Sequence, residues 1–235
     1  MILVLNCIID EKAKNAFEKK TVPRLLDKQM PWQHAFLQQI DSIANLEQCA
    51  GLLISGSELS ASQENPLDEP LLKLIRLFIG WNRPILGICY GHQMLARALA
   101  GAQACRRSST PEFGWQHIKL QKNRLFSGIS NCIAAHSHYD EVCNLPDEFQ
   151  IIASTPNCAV QAFQWRENPV WGVQFHPEIA FEQGENMFAE NLANDVNVHQ
   201  FFVNELKHST QLTQNIKIFH NFCEICKNEK SIKSK

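Results

Sequence analysis

No stretch of the 235-residue chain is apolar for long enough to span a bilayer as a helix. Neither sign of charge is in surplus: 22 Lys and Arg stand against 24 Asp and Glu, a formal net charge of -2, so the electrostatic footprint of a nucleic-acid binder is missing. The N-terminal MILVLNCIIDEK has no basic leader and no small-residue cleavage site, and reads as a first strand. There is no internal repeat and no low-complexity segment. Nine cysteines, an odd number scattered mainly through expected strands and helices, argue against a disulfide framework and for a reducing cytoplasm. No second C-x-x-C or H-x-x-x-H pair accompanies His220-x-x-Cys223-x-x-Cys226. That half-pattern therefore reads as a surface helix bearing two thiols; no metal and no cofactor are expected.

What is present is a chain 45% hydrophobic, enough for one large domain or two small ones. Ile2 to Ile9 is a continuous apolar run, as in a parallel strand covered on both faces. Ala13 to Lys28 is polar and broken by Pro23, open to reading as helix, loop or lid. Trp32, Phe36, Ile40 and Ile43, at spacings of four, four and three, predict an amphipathic helix from Trp32 to Leu46. Leu52 to Ser55 is a second buried strand, residues 58–69 are polar and turn-rich, and Leu71 to Trp81 is a helix. Further on, 115–120, 132–136, 149–153, 159–165 and 169–175 are short strands, and a closing helix is expected from Gly184 to Leu206. Alternating strands and helices followed by a strand-rich section imply an α/β fold with a mainly parallel sheet and an antiparallel extension. The domain is expected over 1–206, with 207–235 a lysine-rich tail.

Two stretches carry chemistry. In Arg83–Gly101, the buried strand Pro84-Ile85-Leu86 leads through Gly87-Ile88-Cys89-Tyr90-Gly91 into a helix bearing Met94, Leu95, Ala98 and Leu99. A cysteine at the tip of a strand-to-helix turn with glycines two residues either side is a G-x-Nuc-x-G elbow with sulfur as nucleophile. The helix starting at Tyr90 or Gly91 aims free amides and its positive dipole end at that sulfur, which favours thiolate. The second stretch, Val170 to Glu178, ends an apolar strand in His176-Pro177-Glu178. Pro177 biases His176 towards an extended backbone. Glu178 is placed to accept from one ring nitrogen, leaving the other to take a proton from Cys89.

GICYGHQ followed about ninety residues later by QFHPE resembles the class I (triad) glutamine amidotransferases, in particular the amidotransferase domain of GMP synthase and its free-standing relatives. Glu112-Phe113-Gly114-Trp115, Ser137-His138-Tyr139-Asp140 and Gly56-Ser57 support the resemblance, which covers Ile2 to about Phe202. It implies a flavodoxin-like sheet and hydrolysis of the glutamine side-chain amide by Cys89, His176 and Glu178 through a γ-glutamyl thioester. It also implies an oxyanion site on the amides of Tyr90 and Ser57 beside Gly56, and substrate contacts from Gln93, Ser137, His138 and Asp140. His92 is given no catalytic role. Many relatives read Gly-Gly-Pro where this chain reads Gly56-Ser57-Glu58, a departure that free-standing members, including those resembling γ-glutamyl peptidases, often share. No Ser-Gly-Gly-x-Asp-type loop occurs, so the resemblance implies the ammonia-donating half of a reaction completed by a separate synthetase chain. A stand-alone γ-glutamyl peptidase or hydrolase, or a non-catalytic interaction protein, are the alternatives.

Overall fold

In the computed structural model, which describes residues 1–26 and 28–232, ten strands form one sheet with helices on both faces. In chain order the elements are β1 (Ile2–Asn6), α1 (Glu11–Ala16), α2 (Val22–Leu26), β2 (Trp32–Phe36), β3 (Gly51–Ile54), α3 (Asp68–Gly80), β4 (Ile85–Ile88) and α4 (Tyr90–Ala100). They continue as β5 (Cys105–Leu120), β6 (Cys132–Val142), β7 (Phe149–Ser154), β8 (Ala162–Trp165), β9 (Val170–Val173), α5 (Phe181–Asn194), β10 (Phe202–Asn204) and α6 (Ile216–Ile232). Strands β2-β1-β3-β4-β9 are all parallel, a flavodoxin-like order. β8, β7, β5 and β6 continue the sheet antiparallel.

Alternation along the central strands feeds two cores. Ile2 and Val4 of β1 pack with Val22, Leu25, Phe219 and Phe222 on one face; Leu3 and Leu5 pack with Leu71, Phe78, Met94 and Leu95 on the other. The carboxyl ends of β1, β3, β4 and β9 thus converge at one edge, where such sheets hold their chemistry.

Four expectations are corrected. Trp32–Leu46 is not a helix: Trp32–Phe36 pairs in parallel with Ile2–Asn6, and a 3-10 segment follows over Leu37–Ser42. The open edge of β1 needs a partner for its backbone, and that demand overrides the helical spacing. The helix from Gly184 to Leu206 stops at Asn194, because Asp195 turns extended and its carboxylate accepts from the Asn197 amide; Phe202–Asn204 then pairs with Phe113–Trp115. The short strands expected at 115–120 and 132–136 are longer, Cys105–Leu120 and Cys132–Val142, and take in Glu112–Trp115 and Ser137–Asp140. The helix carrying Cys223 and Cys226 is no surface helix: Ile218, Phe219, Phe222 and both cysteines are fully buried in the core facing β1, β3 and β4. Residues 13–26 of the polar segment complete α1 and form a π turn over Phe17–Thr21 and then α2; Asn6, at the carboxyl end of β1, donates to Lys14 O at 3.2 Å.

Candidate active site

Cys89 sits between β4 and α4 with φ 49° and ψ -102°, a strained conformation for a residue with a side chain. The glycines make it fit. A Cβ on Gly87 would lie 2.4 Å from the Gly91 carbonyl oxygen, and one on Gly91 would lie 2.7 Å from that of Ile54. The Cys89 amide donates to Val173 O at 2.8 Å, tying the elbow to β9. The first intrahelical bond runs from the Gln93 amide to Cys89 O at 3.0 Å, so the amides of Tyr90, Gly91 and His92 precede it at the helix's positive end.

β9 delivers the second group. Beyond Val173 the His176 amide donates to Ala135 O at 2.8 Å, so β6 braces the histidine from behind. Its Nδ1 pairs with Glu178 Oε1 at 2.7 Å, and the Cys89 sulfur lies near enough to act on the charge of the ring. Burial opposes a charge on this ring, but the Glu178 carboxylate and the Cys89 sulfur outweigh it and hold its pKa well above the ordinary value of 6.5. Cys89, His176 and Glu178 are therefore brought into one line.

The loop after β3 closes over this line. A Cβ on Gly56 would lie 2.9 Å from His176 Cε1 and 3.6 Å from Cys89 Cβ. Ser55 Oγ accepts from the Cys7 amide at 2.8 Å and Ser57 Oγ from the Leu59 amide at 3.1 Å. The Glu58 carboxylate accepts from the Ile9 and Asp10 amides at 2.7 and 3.3 Å.

The remaining residues named from the sequence are placed less directly. Tyr90 turns its hydroxyl away, donating to Asp68 at 3.3 Å, so only its backbone faces the sulfur. Gln93 is buried and donates to Asp140 O at 3.0 Å and Gln174 Oε1 at 3.1 Å. The Asp140 carboxylate anchors the loop beyond Ser57, accepting from Ser60 Oγ at 2.5 Å and from the Ser62 amide and hydroxyl at 3.2 and 3.1 Å. Ser137 Oγ accepts from Asn191 at 2.8 Å. His138 is enclosed, with Nδ1 3.0 Å from Asp140 O and Nε2 3.0 Å from Glu112 Oε2. His92 lies behind the elbow, and burial pushes it down to about 3, so it is neutral.

Two residues of the site went unread in the sequence. Gln174 donates to the Cys89 sulfur at 3.5 Å; its place two residues before His176, in the same QFHPE motif, was the signal that could have found it. Arg24 of α2 donates to the Glu178 carbonyl, a contact between residues 154 apart that no local pattern announces. Gln183 adds a bond to Thr21 at 3.2 Å, so residues 21–24 are fastened to the turn that carries Glu178.

A thiol on a strained strand-to-helix elbow, an imidazole beside it and a carboxylate behind the imidazole have the arrangement of a cysteine triad site. The family model for glutamine amidotransferase class-I matches residues 24–196. The chain belongs to the class I glutamine amidotransferase family. It is 38% identical over 149 residues to the glutamine-hydrolyzing GMP synthase of Caldicellulosiruptor saccharolyticus, covering 61% of this chain and 27% of that protein. It is 36% identical over 118 residues to a glutamine-hydrolyzing GMP synthase subunit from Pyrococcus abyssi, covering 49% of this chain and 62% of that one. The chain therefore matches about a quarter of the first relative's length and under two thirds of the second's. A glutamine amido transferase from Methylobacillus flagellatus shares the fold, with a TM-score of 0.74 at 18% identity over 95% of this chain and 94% of that one.

Proposed function

We propose that this chain hydrolyses the side-chain amide of glutamine and passes the ammonia to a separate synthetase chain. The carrying observation is the His176–Glu178 pair at 2.7 Å set beside Cys89 on its elbow, with Gly56 packed against both. The Cys89 thiolate attacks the amide carbon, and the tetrahedral oxyanion is held by the backbone amides of Tyr90 and Ser57. His176 gives its proton to the departing nitrogen, leaving a γ-glutamyl thioester. It then takes a proton from water, which cleaves the thioester and returns the thiolate and free glutamate. Gln93 and the Ser137–Asp140 segment, with His138 buried behind it, shape the end that receives the amino acid. The names of the GMP synthase relatives support the substrate and a synthetase partner. Among the described residues no disulfide joins any of the cysteines, which suits a reducing cytoplasm, and no helix is long and apolar enough to cross a membrane.

Ammonia release from the purified chain tests this reading. His176→Ala lowers kcat by on the order of 10^5-fold or more; Glu178→Gln costs about one to two powers of ten less, because orientation suffers while the base remains. Equal and total loss in both would contradict the ranking. Release is low for the chain alone and rises when the synthetase chain is added. Full turnover of γ-glutamyl dipeptides without any partner would point instead to a peptidase.

The pH dependence follows from the charges around His176. Its raised pKa contributes stability that is fully present below about pH 6.5 and is lost as pH rises through the raised value. Glu178→Gln removes one of the charges that raise it. The alkaline limb of kcat/KM then moves to lower pH, and the stability contribution disappears over the same lower range. An alkaline limb unmoved in the variant would show that Glu178 does not govern the imidazole.

A further inference from the structure

We infer that Glu112, His136 and His138 form a binding site for a divalent transition-metal ion of the zinc class, built into the strand pair that braces His176. Glu112 lies on β5, opposite His138 in the antiparallel register, and His136 and His138 sit two apart on the same face of β6. All three are buried, at 0%, 0% and 4% exposure. One ligand atom from each falls within 4.8 Å of the others. His138 Nε2 and His136 Nδ1 lie 3.0 and 3.6 Å from the same oxygen, Glu112 Oε2. Ligands held at about 2.0–2.1 Å around a tetrahedral ion are about 3.3–3.4 Å apart, and the two distances bracket that separation.

The surroundings are arranged as metal ligands require. His138 Nδ1 faces Asp140 O at 3.0 Å, which fixes the tautomer with the Nε2 lone pair turned towards the cluster. Thr155 Oγ1 donates to Glu112 Oε1 at 2.6 Å, and Gln161 Nε2 donates to Oε2. The decisive residue is His136. Neither of its ring nitrogens has a hydrogen-bond partner among the described residues, and at 3.6 Å its approach to Glu112 is too long to be one. Gln161 Oε1, in the same cluster, is also buried without a partner among them. Without an ion, the two nitrogens of His138 face two acceptors, Asp140 O and Glu112 Oε2, while His136 stays stranded, a costly arrangement in a dry interior. An ion uses the lone pairs of both imidazoles and the carboxylate charge at once. Two imidazoles and one carboxylate are a zinc-type donor set with a fourth position for water.

The test needs no assay of catalysis, so its failure is separable from that of the glutaminase reading. The full chain is expressed with zinc supplementation, desalted and its metal content measured, beside His136→Phe, which retains all nine cysteines. Close to one equivalent of zinc is expected in the wild type, with at least a tenfold loss in His136→Phe. Refolding the wild type with excess zinc raises Tm by about 5 °C or more relative to refolding with chelator, and the variant shows no such shift. X-ray absorption on the wild type, independent of whether the variant folds, shows nitrogen and oxygen ligands without sulfur. A metal-free wild type whose Tm ignores zinc, or zinc held by sulfur, would overturn the inference and leave the cluster a buried ion pair.

Discussion

Cys89→Ala reduces glutamine hydrolysis by on the order of 10^5-fold or more while leaving the fold in place. The loss is that large because in the proposed mechanism the sulfur forms the covalent intermediate, and His176 and the elbow amides have nothing to activate once it is gone. The fold survives because alanine keeps the Cβ that the strained φ of 49° already accommodates, and because the ties from Cys89 to Val173 and Gln93 are backbone bonds. Tm of the variant stays unchanged or rises slightly, since a strained reactive residue is exchanged for an inert one. Undiminished ammonia release would end the assignment of Cys89.

Gly87→Ala damages the same site through its frame. The new methyl would sit 2.4 Å from Gly91 O, 2.5 Å from Gly91 C and 2.8 Å from the His92 amide, all backbone atoms of the first turn of α4. Backbone cannot swing aside as a flexible side chain does, so the helix start must move. Overpacking of this kind costs about 3 kcal/mol. Displacing the nucleophile by about 1 Å costs on the order of 10^2-fold in kcat. Gly80→Ala is the control: nothing lies within 4 Å of its Cβ position at the end of α3, and the change is neutral or mildly stabilising. Urea denaturation and ammonia release on the pair decide the matter. Equal behaviour of the two variants would mean the elbow is looser than the contacts state.

The parts of the molecule legible in sequence were those where local pattern and tertiary need agree. Apolar runs gave β1, β3, β4 and β9, and the glycine spacing around Cys89 located the elbow, because both signals are written within a few residues. β2 misled because Trp32, Phe36 and Ile40 repeat at helical spacing, whereas the open edge of β1 decides their conformation. The burial of α6 was illegible for a related reason: Lys217 and Lys227 lie on its outward face, while Phe219, Phe222 and Cys226 cover a sheet face formed far earlier in the chain. Arg24 on Glu178, and Asp140 on Ser60 and Ser62, are contacts between distant segments with no periodic trace. His136 and Glu112 meet only because the β5–β6 register brings them together.

The most direct test is chemical trapping. Glu178→Gln, chosen because slowed turnover lets the intermediate accumulate, is mixed with glutamine, quenched in acid, digested and analysed by mass spectrometry. A γ-glutamyl adduct on the peptide containing Cys89, absent from the Cys89→Ala protein and lost on longer incubation as glutamate appears, is the predicted result. Ammonia release in step with glutamine loss, with the acyl group on another cysteine or on none, would contradict the account.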